Sequence, residues 1–109
     1  IPQDTGSGLQ PVVGDTVFIN YIASYLSLMI FDTNVEEVAM QNNLWNPSVL
    51  YEPLKFIVGD KTVIAGIDEG VQYMKEGGSA LLVIPSDLAY QDYQTLLFYI
   101  ELVEVRPGS

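Results

Sequence analysis

Apolar and polar residues alternate along much of this chain with the two-residue period of β-strands. In "DTVFINYIASYL" (15–26), Val17, Ile19 and Tyr21 interleave with Thr16, Phe18, Asn20 and Ile22. Both sets are largely apolar, which predicts a strand covered on both faces. "PLKFIV" (53–58) sets Leu54, Phe56 and Val58 against Lys55 and Ile57, and "SALLVIP" (79–85) is a short apolar run ended by proline. "TLLFYIELVEV" (95–105) is long and rich in β-favouring side chains. Together these segments predict an antiparallel sheet of about four to six strands.

The period changes clearly to that of a helix once. Ile64, Ile67, Val71 and Met74 recur at helical spacing, while Asp68, Glu69, Gln72 and Lys75 face away. Asp68 and Glu69 near the start and Lys75 near the end suit the helix dipole, and Gly77-Gly78 supplies a stop. The spacing predicts a helix over about residues 65–75. One short helix must then serve a whole sheet. The predicted fold is α+β, a curled antiparallel sheet wrapped around one short α-helix that forms the second layer of the core.

Two stretches lie outside this pattern. Residues 1–12, opening "IPQDTGSGLQP", are polar and rich in Gly and Pro, and are read as an N-terminal arm to a domain spanning 13–106. Between the Phe31-Asp32 pair and the strand at Pro53 lies an extended insertion, 33–53, partly helical in pattern through Val35, Val38 and Ala39. Trp45, Leu50 and Tyr51 are its candidate exposed anchors for protein contacts.

Composition removes several kinds of chemistry. At 109 residues the chain is long enough for one domain. Fourteen acidic against four basic residues give a formal charge of −10, which repels nucleic acid and anionic membrane surfaces. The absence of Cys and His excludes disulfides, the usual zinc sites, thiol nucleophiles and Ser-His-Asp arrangements. Glu36-Glu37 and Asp68-Glu69 read as solvated faces, not as metal or glycosidic sites. No cofactor and no metal are expected. No apolar run reaches the roughly 18 residues of a membrane-spanning segment. The chain opens on Ile1, so the compartment stays open between a secreted or cell-envelope location, if a leader was removed, and the cytoplasm. The oligomeric state is equally open.

Taken in order, "GDTVFINYIASYLSLMIFDTN", "PLKFIVGDKTVIAGIDEGVQYMKEGGSALLVIPSDLAY" and "TLLFYIELVEV" resemble an FKBP-type peptidyl-prolyl cis-trans isomerase domain from Gly14 to Val105. The family's usual pattern is a tyrosine strand leading to a Phe-Asp pair, a Phe-rich strand, "VI.GW.EG" opening the helix, then "IP...AYG" and a last strand near "L.F.VEL". The resemblance implies an FKBP-like half-barrel and a prolyl isomerase assisting protein folding. It implies proline-containing polypeptide segments as substrates and a macrolide as a further ligand. A non-catalytic protein-binding or chaperone module is the alternative it leaves.

Carried over residue by residue, the resemblance implies catalytic roles for Asp32, Tyr90 and Phe98. It implies a substrate-binding surface made by Tyr21, Phe31, Phe56, Val63, Ile64 and Ile67. Tyr90 and the Ile64 N–H would bind substrate carbonyls. Asp32 needs water or a donor, and the Tyr21 hydroxyl is the obvious candidate. In isolation the aromatic rings read simply as core. The chain departs from the family in five places, one being the unusual length of the 33–53 segment. Ile67 replaces the usual tryptophan, which predicts a deeper, less selective pocket, and Leu28 stands at the usual turn glycine. No basic residue between Asp32 and Lys55 can pair with the aspartate. The stretch after Tyr90 runs almost directly into the last strand.

Overall fold

The computed structural model describes residues 2–4, 8–85 and 95–108, the first three by their backbone. In chain order the elements are β1 (Pro2–Asp4), β2 (Thr16–Tyr25), β3 (Ile30–Thr33), α1 (Glu36–Gln41), β4 (Leu54–Ile57), α2 (Ala65–Val71), β5 (Ser79–Ile84) and β6 (Leu96–Arg106). The six described strands form one antiparallel sheet in the order β1-β5-β6-β2-β3, with β4 also paired to β2.

The two longest strands make the centre. β2 and β6 pair from Thr16↔Arg106 to Tyr25↔Leu96. Their shared inner face holds Val17, Ile19 and Ala23 opposite Val105, Leu102 and Phe98, all buried. The register shifts between Phe18 and Ile19, leaving Val103 as one extra residue on β6. That bulge resets the alternation. Leu96, Phe98, Ile100 and Leu102 point inward, Val103 is exposed, and Val105 turns inward again. The outer face of β2 is only half-buried, not fully covered as its apolar composition suggested. Arg106 lies 4.7 Å from the Phe18 ring centroid, and Asn20 Nδ2 donates to Glu101 Oε1 at 2.9 Å.

α2 closes the inner side against β5. It is shorter than its apolar spacing suggested. After Val71 the chain tightens, with the N–H groups of Gln72, Tyr73 and Met74 donating to the carbonyls three residues back, and it stops at Gly77 with φ 89°. Gly66 and Gly70 allow the close approach. A Cβ on Gly66 would lie 2.6 Å from Ile84 Cγ2, and one on Gly70 would lie 2.5 Å from Leu82 Cδ1.

The N-terminal residues dock on the same sheet. β1 pairs with the first residues of β5. The Gly8 N–H donates to the Glu76 carbonyl at 3.1 Å, and the Glu76 N–H donates to the Leu9 carbonyl at 2.8 Å. The Glu76 side chain accepts the Val105 N–H at 2.8 Å. Nearby, Asp15 accepts the Gly108 N–H at 2.9 Å on Oδ1 and the Val12 N–H at 3.0 Å on Oδ2. These bonds, Gly108's first, hold its carboxyl below its ordinary pKa of 3.8, against a smaller upward pull from burial.

Candidate active site

The β2–β3 hairpin shapes one side of the site. Its turn is closed by the Leu28 N–H donating to the Tyr25 carbonyl at 2.8 Å and the Tyr25 N–H to the Met29 carbonyl at 3.0 Å. Leu28 has φ 72°, so leucine takes the left-handed conformation that the usual glycine adopts freely. The strain is roughly 1–2 kcal/mol. The returning β3 stacks Phe31 on Tyr25, with centroids 4.6 Å apart and planes at 27°. It also sets Asp32 opposite Ala23, which is itself opposite Phe98.

Asp32 has the partner its surroundings require. The Tyr21 hydroxyl donates to Oδ2 at 3.0 Å, and Oδ1 accepts the Thr33 N–H at 2.9 Å. The carboxylate is exposed, so this pair marks a polar rim and not a buried charge. The Tyr21 ring lies 6.5 Å from that of Phe98, tilted by 47°.

The apolar part has two depths. Phe56, Ile67 and Phe98 are at most 5 % exposed and belong to the core. Tyr21, Phe31, Val63 and Ile64 are half-buried and pack on that core. Val63 and Ile64 immediately precede α2. Ile64 is extended (φ −59°, ψ 144°), and its N–H meets no acceptor among the described residues. Eight of the nine residues expected at the site thus fall in described parts of the chain. Tyr90 lies outside the described residues. Two half-buried members were not foreseen, Tyr25 under Phe31 and Leu54 on the same face of β4 as Phe56. The strand alternation carried a signal for Leu54, whereas the stack on Tyr25 depends on how the hairpin closes.

Asn34 was also missed, and it fixes the backbone beneath Tyr21. One edge of β2 is shared, with β4 pairing to residues 16–19 and β3 to residues 22–24. Asn34 fills the interval. Its Oδ1 accepts the Tyr21 N–H at 2.8 Å, and its Nδ2 donates to the Ile19 and Glu52 carbonyls at 2.9 and 3.1 Å. Thr33 Oγ1 donates to the Tyr21 carbonyl at 2.6 Å. The side-chain amide takes the place of a peptide group in the ladder.

Asp68 corrects the reading of Asp68-Glu69 as a solvated pair. It is buried, and its Oδ1 accepts the Gly59 N–H at 2.9 Å, tying the turn after β4 to α2. Among the described residues no group of three or more acidic side chains is placed to hold a metal ion.

The sequence profile of the FKBP-type peptidyl-prolyl cis-trans isomerases matches residues 8–103. The chain is 38 % identical over 77 residues to the short-type peptidyl-prolyl cis-trans isomerase of Methanocaldococcus jannaschii, covering 71 % of this chain and 48 % of that protein. It is 36 % identical over 110 residues to the FK506-binding protein of Streptomyces anulatus, covering 92 % of this chain and 79 % of that one. The crystal structure of FkpA from Escherichia coli superposes with a TM-score of 0.75 at 31 % identity, covering 99 % of this chain and 47 % of the FkpA chain. The chain therefore spans about half the length of the archaeal relative and of FkpA. From the profile match, these identities and the shared fold, the chain belongs to the FKBP-type peptidyl-prolyl cis-trans isomerase family.

Proposed function

We propose that the chain is a peptidyl-prolyl cis-trans isomerase acting on X-Pro bonds in extended or unfolded protein segments, and that it thereby assists folding. Rotation about a peptide bond meets a barrier of about 18–20 kcal/mol set by amide resonance. No covalent bond has to break. A catalyst needs only to bind the twisted amide more tightly than the planar forms, and each 1.36 kcal/mol of that preference is worth about tenfold in rate. A twisted amide has lost resonance, so its carbonyl oxygen carries less negative charge and sits more comfortably against apolar surface.

The observation that carries this reading is the half-buried cluster of Tyr21, Phe31, Val63 and Ile64 over the core residues Phe56, Ile67 and Phe98, with the Tyr21–Asp32 pair at its rim. The apolar side chains receive the proline ring and the twisted amide. The Ile64 N–H binds a substrate carbonyl along the chain, and Asp32 holds the Tyr21 hydroxyl in place at the edge. This chemistry needs no nucleophile, which agrees with a chain lacking His and Cys. A macrolide would occupy the same apolar surface.

The test is an isomerisation assay on a proline-containing peptide, with and without a pocket-directed macrolide. Catalysis inhibited by the macrolide, and reduced but not abolished in Asp32→Ala, is expected. A folded chain that leaves the uncatalysed rate unchanged would overturn the reading in favour of a non-catalytic binding module.

A further inference from the structure

The excursion between β3 and β4 carries a surface that the proline site does not use. Met40, Trp45, Val49 and Leu50 are 60, 45, 47 and 77 % exposed. Glu36 and Met40 stand four residues apart on α1 and share a face. The Leu44 N–H donates to the Ala39 carbonyl at 2.9 Å, so the chain folds back directly off the helix. This return lets Trp45 Nε1–H donate to Glu36 Oε2 at 3.2 Å, holding the indole at that face. A turn follows, in which Asn46 Oδ1 accepts the Ser48 N–H at 2.8 Å, the Asn46 carbonyl accepts the Val49 N–H at 3.1 Å, and the Tyr51 hydroxyl accepts the Asn46 N–H at 2.9 Å. These bonds shape the segment while Met40, Trp45, Val49 and Leu50 stay exposed and Leu44 and Tyr51 are half-buried.

Charge narrows the choice of what covers them. From Asp32 to Pro53 the acidic residues are Asp32, Glu36, Glu37 and Glu52, and there is no Lys or Arg. Glu36, Glu37 and Glu52 are exposed. A second copy would set these carboxylates against their like, within a chain of net charge −10, and phosphates or anionic lipids would be repelled in the same way. A cationic partner meets both needs, since it neutralises the carboxylates while covering the apolar side chains.

We propose that this excursion is a docking surface for extended polypeptide segments in which Lys or Arg alternate with large apolar residues. The apolar side chains of the segment cover Trp45 and Leu50, and its cations meet Glu36, Glu37 and Glu52. Segments of this kind would be held beside the isomerase site without a proline being required.

Trp45 is the one tryptophan of the chain and reports on this surface directly. The full chain is titrated with a proline-free, tryptophan-free peptide interspersing Lys and Arg with Leu and Phe, and with a counterpart in which every Lys and Arg is Glu. Saturable blue-shifted emission is expected with the cationic peptide alone, weakening as salt is raised. Leu50→Asp should weaken binding about tenfold, and Glu36→Gln with Glu37→Gln should weaken it severalfold, both leaving proline isomerisation unchanged. Equal binding of the charge-reversed peptide, no response to either peptide, or a blue shift that grows with protein concentration alone would each overturn the proposal. The probes contain no proline, so the outcome is independent of whether the chain catalyses isomerisation.

Discussion

α1 and α2 are six and seven residues long, neither has a side-chain N-cap, and both carry acidic residues in the first turn. Helices this short do not stand alone in water. What lies beneath them separates them. α2 buries Ile67, Asp68 and Val71 and presses its two glycines on Leu82 and Ile84 of β5, whereas α1 buries only Ala39 and packs on β3. One helix is fixed by the core. The other is held by its connections, which leaves its outer face free to carry a surface of its own.

The largest expected effect breaks the core beneath α2. Phe98→Ala should cost roughly 3–5 kcal/mol by opening a cavity under the site, measured by urea unfolding. A loss of only a few tenths would mean that this side of the sheet is not what supports the fold. Next comes the anchor of the α1 excursion. Asn34→Ala leaves the Tyr21 N–H and the Ile19 carbonyl without their side-chain partner and frees the chain at Glu52, at a cost of about 1–3 kcal/mol. Proteolysis within 35–52 should quicken at the same time, and unchanged cleavage would argue against the anchoring role.

The two helices can then be compared directly. Gly66→Ala should destabilise by about 1–3 kcal/mol, because the new methyl meets the buried, β-branched Ile84. Gly70→Ala should cost less, since Leu82 Cδ1 is the end of a half-buried chain that can swing aside, and alanine regains up to about 1 kcal/mol of helix propensity. Met40→Ala on α1 should stay within about 0.5 kcal/mol. Equal losses at all three positions would erase the distinction.

The smallest effect concerns Asp15, outside both helices. Its folded pKa lies below the ordinary 3.8, so its stabilising contribution is fully present above that value and is lost as pH falls through the lower folded value. Asp15→Asn should therefore be less stable than the parent at neutral pH. The gap in melting temperature should narrow as the pH is taken below 3.8. A gap independent of pH would assign the loss to shape instead of ionisation.

What could be read in the sequence divides along the same line. β2 and β4 were legible from alternation and β5 and β6 from runs of apolar and β-favouring side chains, all local properties, and the position of α2 followed from its apolar spacing. The Tyr21–Asp32 contact was legible because a carboxylate beside Phe31 needs water or a donor, and Tyr21, on the neighbouring strand, offers one. Asp68 was misread because its place on the polar side of the helix pattern says nothing of the turn at Gly59 folding over it. Asn34 was missed for a similar reason. Its role arises only because two strands share one edge of β2, a fact of topology with no periodic trace. The docking of residues 2–4 and 8–9 depends on a free edge of β5 and on Glu76, both remote in sequence.

The Asp15 bonds also decide how the molecule responds to force. Val12 and Gly108 are held on one carboxylate beside the Thr16↔Arg106 end of the central ladder. Tension applied between residues 12 and 108 would pull β2 and β6 apart sideways, loading their hydrogen bonds one after another from that end, as a zip opens. The carboxylate is the first fastening in its path, and the ladder bonds of β2 and β6 behind it are then loaded in turn. Seen mechanically, the chain is a weak link along this axis, and a pull directed along the strands would meet the ladder in shear and a far higher rupture force.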